Sequence, residues 1–71
     1  METIVIDENF KGVVKKDWYF EIYVDLFYPN ANIEIQVPLY STKSIIGESL
    51  KVGKWLEVGE SLEIGKSLEV G

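Results

Sequence analysis

The 71-residue chain contains no cysteine, no histidine and no arginine, and only two prolines. Without cysteine, no disulfide can supplement the small core that so short a chain buries. Without histidine and cysteine, the usual zinc sites and the Ser/His and Cys/His catalytic arrangements are excluded. All seven cations are lysines, set against twelve acids, for a net charge of −5. That balance argues against direct nucleic-acid binding, which needs cations facing phosphates. No apolar run nears the roughly 20 residues of a membrane span, and no N-terminal stretch reads as a secretory signal. The expectation is one acidic, soluble domain over residues 1–71 with no metal, no cofactor and no membrane contact.

What the sequence does have is β-forming residues. No stretch repeats apolar residues at helical spacing beyond two turns, while Val, Ile, Tyr, Phe and Trp abound. Between Trp18 and Tyr28 the even positions are all apolar or aromatic, a period-two pattern that predicts a half-buried strand. Pro29-Asn30-Ala31-Asn32 reads as a turn, and Ile33, Ile35, Val37 and Leu39 then alternate with other residues. An antiparallel hairpin turning there pairs Tyr28 with Ile33, Leu26 with Ile35, Val24 with Val37 and Ile22 with Leu39. Both apolar rows then share one face. Thr3–Asp7 predicts a shorter strand, and 11–15 a strand or a loop. Pro38, lacking an amide donor, predicts an edge or a bulge. Residues 1–45 are therefore expected to form an antiparallel sheet.

From Ile46 the chain follows the formula [Ile/Val]-Gly-[Glu/Lys]-[Ser/Trp]-Leu-[Glu/Lys] through four full units, ending on Val70-Gly71. Repetition of this kind implies a repeat architecture. A meander of two-residue turns would put Leu and Ile/Val on opposite faces at each turn. A β-solenoid instead turns each Leu-x-[Ile/Val] pair inward and stacks equivalent positions, so the fold expected is all-β: an antiparallel sheet over 1–45 followed by a short solenoid over 46–71. The repeat resembles the hexapeptide repeat of left-handed β-helices, with Ile46, Val52, Val58 and Ile64 in the inward position before glycine. It departs from that family in placing Leu50, Leu56, Leu62 and Leu68 where a small residue is usual. It is also similar to bactofilin-type polymer-forming solenoids and to short repeat-bearing proteins of phages and prophages. The resemblance implies three hexapeptides per coil, so 46–71 supplies about one and a half coils, with Leu56 and Leu62 enclosed. Hexapeptide acyltransferases use a catalytic histidine, which this chain lacks.

The hairpin pairing places Tyr19, Tyr23, Phe27 and Tyr40 on one face with Glu21, Asp25 and Glu34. Such a face reads either as an aromatic and acidic contact surface or as aromatics packed under the rest of the chain. The carboxylates read as solvated surface charge, not as a hydrolytic pair. Trp55 stands where its sister repeats have serine, and predicts either packing on residues 1–45 or a contact for another chain. With no catalytic equipment, the expected function is a non-enzymatic protein-binding module. Its negative charge suits a partner with a basic surface, such as a nucleic-acid-handling protein. Small acidic inhibitors of phages and mobile elements, the anti-CRISPR class among them, are similar in size and charge, which implies a cytoplasmic setting, that of the host cell for a phage product. The alternative is a self-assembling structural protein of bactofilin type. The bare repeat end and the two-faced hairpin predict that the chain acts as a homo-oligomer or in a complex.

Overall fold

The computed structural model describes residues 2–71; Met1, the first residue of the expected domain, lies outside them. The described chain is all-β, with no helix. Its strands are β1 (Thr3–Ile6), β2 (Val13–Lys15), β3 (Phe20–Ile22), β4 (Leu26–Ile35), β5 (Leu39–Ser41), β6 (Ile45–Val52), β7 (Leu56–Val58) and β8 (Leu62–Val70). They form two four-stranded sheets, ordered β1-β4-β6-β8 and β2-β3-β5-β7. Among the described residues no helix is long and apolar enough to cross a membrane.

From Phe20 onward the chain passes alternately through the two sheets, three times each. Every strand lies parallel to its counterpart one circuit earlier. Phe20 lies beside Leu39 and Leu39 beside Leu56, steps of 19 and 17 positions. In the other sheet Ile4, Ile33, Leu50 and Leu68 form one column, and Ile6, Ile35, Val52 and Val70 the next. Nine inward pairs follow one another along the chain: 20/22, 26/28, 33/35, 39/41, 45/47, 50/52, 56/58, 62/64 and 68/70. They recur about every six residues, with one extra residue in the corner before Ile33 and one fewer before Leu50. The six-residue spacing of inward pairs thus begins at Phe20, well before the glycine-marked units.

This overturns the antiparallel hairpin. Tyr28 and Ile33 belong to the same strand, β4, and Pro29–Ala31 is a bend within it where the pairing with β6 shifts register. Period-two alternation reveals which side chains share a face, but not the direction of the neighbouring strand. Parallel circuits give the inward residues of the middle circuit a neighbour above and below. A hairpin would give them one. The sole antiparallel pair among the described strands is β2 with β3, closed by Lys16 N donating to Tyr19 O at 2.9 Å. Pro38 sits at the corner before β5, where no amide donor is needed, and its carbonyl accepts from Phe20 N at 2.8 Å.

Ile6, Ile22, Leu26, Ile33, Ile35, Leu39, Ile45, Leu50 and Val52 form the buried core. Two inward places are taken by small residues for stated reasons. A Cβ on Gly47 would stand 2.8 Å from Ile33 Cδ1, so Ile33 fills the space of the missing side chain. Ser41 is fully buried, with its hydroxyl donating to Lys43 O at 3.4 Å. Ile46, expected inward, instead lies in the outward column with Phe27 and Glu63, because the corner between Gly47 and Ser49 is a residue short. Leu62, expected to be enclosed, is 39% exposed on the last circuit, and Leu56 is half-buried. Glu57 and Glu63 do point outward and are exposed.

Leu50 is 2% exposed between Ile33 and Leu68, whereas Leu68 is 54% exposed at the end of the same column. Leu50→Ala should therefore lower stability by about 2–5 kcal/mol, and Leu68→Ala by about 1 kcal/mol or less. Gly47→Ala should cost about 1–3 kcal/mol through overpacking against Ile33. Denaturant unfolding of the three variants checks this order.

Candidate binding surface

The corners of the circuits carry polar columns that hold the fold. Asp25 Oδ1 accepts from Ser44 N at 3.1 Å, and the Ser44 and Ser61 hydroxyls meet at 2.9 Å. At another corner Ser67 Oγ donates to Ser49 Oγ at 3.2 Å, and Lys66 Nζ lies 3.4 Å from Glu48 Oε1. These pairs each link residues one circuit apart. Asp25 is a corner residue of the scaffold.

The remaining candidates do not share a face. Glu21 and Tyr40 are neighbours on the outer side of the β2-β3-β5-β7 sheet, in one column with Glu57. Phe27, 64% exposed, lies on the outer side of the other sheet beside Ile46. Glu34 is further along that sheet, between Val5 and Lys51, and accepts from Gln36 Nε2 at 2.7 Å. Tyr23 follows β3 at a corner, 46% exposed. The predicted common face required the hairpin. With strands parallel, residues 19–27 and 34–40 are distributed around the outside of the winding instead.

One group does come together. Trp18 and Tyr19 lie in the tight turn of the β2–β3 hairpin, and Trp55 at the corner before β7. The indoles of Trp18 and Trp55 meet edge to face with centroids 4.9 Å apart. Tyr19 lies 5.1 Å from Trp18 and 6.2 Å from Trp55. In the stack Pro38 precedes Leu39 as Tyr19 precedes Phe20 and Trp55 precedes Leu56, so it falls at the level between Tyr19 and Trp55. Trp55 therefore does pack on the first half of the chain. With Tyr40 and Glu57 these rings line a shallow cleft of about 270 Å³. Sequence reasoning assigned Trp18 to the inward row, yet it is 60% exposed. Its position between Asp17 and Tyr19, where a two-residue turn fits after Val13–Lys15, was the available signal.

The cleft's surroundings are acidic. Glu57 lines it, and Glu21 stands on the far side of Tyr40 in the same column. Lys16 is engaged nearby: its ammonium lies 3.9 Å from Glu21 Oε1 and 5.8 Å from the Tyr23 ring centroid. Hydrogen bonding to Tyr23, and then the Glu21 carboxylate, hold the Lys16 pKa above the ordinary lysine value.

Trp55 is half-buried between Trp18 and Tyr19, whereas Trp18 is mostly exposed. Trp55→Ala should cost about 1–3 kcal/mol from lost burial and ring contacts, and Trp18→Ala about half as much or less. Thermal or denaturant melts compare the two. The chain matches no family model, no curated protein and no solved structure.

Proposed function

We propose that the chain is a non-enzymatic protein-binding module whose partner offers a basic surface. The observation that carries this reading is the aromatic cluster of Trp18, Tyr19 and Trp55, held ring against ring at the surface beside Glu21, Tyr40 and Glu57. Rigid aromatics anchor interfaces at low entropic cost, and surrounding charge selects and steers the partner. In this reading the three circuits are a short β-solenoid of the hexapeptide-repeat kind, stiff enough to present the cluster in one arrangement. Coverage of a basic groove on a nucleic-acid-handling protein, in the manner of small acidic phage-type inhibitors, is the action that charge and size favour. Affinity capture on the immobilised chain tests it. A retained protein should elute with moderate salt and be lost with Trp18→Ala. Retention that Trp18→Ala and Glu21→Lys leave unchanged would show the reading to be wrong.

A second reading, self-assembly, is favoured by a different observation. The inward columns run out at Leu62, Leu68 and Val70, which are 39%, 54% and 67% exposed at the free edge of β8. At the other end of the Leu68 and Val70 columns stand Ile4 and Ile6 of β1, also an edge strand. A second copy setting its β1 against β8 would continue both columns, and a head-to-tail contact of this kind repeats into a filament. Light scattering should then show mass rising with concentration, and Leu68→Lys should abolish the rise. A constant mass from low micromolar to millimolar concentration would exclude this mode.

A further inference from the structure

We infer that the cleft between Trp18, Tyr19, Tyr40, Trp55 and Glu57 is a receptor for a single arginine side chain of the partner. The inference rests on the binding-module reading and names the chemistry that the module recognises. The cleft is lined by four aromatic residues and one carboxylate, with no cation among them. Aromatic faces attract a cation through their quadrupole, and the attraction grows where water is partly excluded. A planar guanidinium stacks on such rings while its fork of N–H donors reaches a carboxylate, which a lysine ammonium does less well.

The three rings are already in mutual contact. Little ordering is therefore left for a ligand to impose. Lys16, in the same hairpin turn, is occupied by Glu21 and Tyr23 outside the cleft lining. Glu57 has no salt-bridge partner among the described residues. It stands free at the lip, where an incoming guanidinium would meet it. The exposed Trp18 comes from the hairpin turn and Trp55 from two circuits later in the chain, so the site exists only in the folded stack.

The experiment uses the two tryptophans. The chain has no others, so its indole fluorescence reports on this cleft alone. The full chain is titrated with a short arginine-containing peptide, and in parallel with the same peptide carrying lysine or citrulline, the neutral analogue of arginine, in that place. Saturable change with the arginine peptide is expected, several-fold weaker with lysine and absent with citrulline. Glu57→Gln should weaken arginine binding by roughly fivefold to tenfold, and raised salt should weaken it further. Equal response to citrulline, or an affinity that Glu57→Gln does not alter, would overturn the inference. Circular dichroism of the variant confirms that it is folded. Partner capture separates the two levels of the argument. Capture lost with Trp18→Ala yet kept with Glu57→Gln retires the arginine site and leaves the module. Capture kept in both retires the module as well.

Discussion

Stacking of aliphatic side chains in parallel, in-register columns is the constraint on which the molecule depends. An inward residue of the middle circuit buries itself against its counterpart one circuit before and one circuit after, as Leu50 does between Ile33 and Leu68. Fully burying such a side chain contributes about 1.5–3 kcal/mol. The facing sheet supplies the rest of the burial, so each circuit is stabilised both across the core and by its neighbours. The middle circuit accordingly holds Leu39, Ile45, Leu50 and Val52 almost fully buried, while the last leaves Leu62, Leu68 and Val70 open.

Irregularities in the winding follow from the same constraint. Gly47 gives up its inward side chain because Ile33 already occupies that space. The corners absorb the differences in circuit length, through register shifts in β4, β6 and β8, so the columns on either side stay aligned. Polar residues gather at the corners, where the chain turns and ladder bonds lapse. Serine hydroxyls, Asp25 and the Glu48–Lys66 pair link one circuit to the next there. At the β1 end the β2–β3 hairpin and the partly buried Phe10 cover the first circuit. That hairpin also carries Trp18 and Tyr19 out to meet Trp55. A single element thus closes the core and builds the aromatic cluster.

Much of the architecture was readable in the chain. Absence of helical periodicity, the alternation around residues 20–39 and the glycine-marked repeat all pointed to strands, and strands are what forms. Inward and outward sides were legible for most positions, since a pleat puts alternate residues on opposite faces. The outward setting of Glu57 and Glu63 was readable from the repeat. Trp18 and Val24 are exceptions: both fit the alternation and both are exposed, because each lies at a turn, outside β3 and β4.

Tertiary structure alone decided the direction of pairing and everything that follows from it. Alternation is the same in a parallel and an antiparallel neighbour, so residues 18–40 read as a hairpin until the later repeats supplied strands to stack on. Only the stack reveals that Pro29–Ala31 is a bend, that Ile46 faces outward, and that Tyr23, Phe27 and Glu34 are scattered around the winding. It alone brings Trp18 within reach of Trp55, 37 positions on in the sequence. Local sequence determined most of the residues that turn inward, because within a strand that depends on neighbours two positions away. Which surfaces meet depends on counterparts 17–19 positions away, and that distance is set by the length of a circuit that no local pattern encodes.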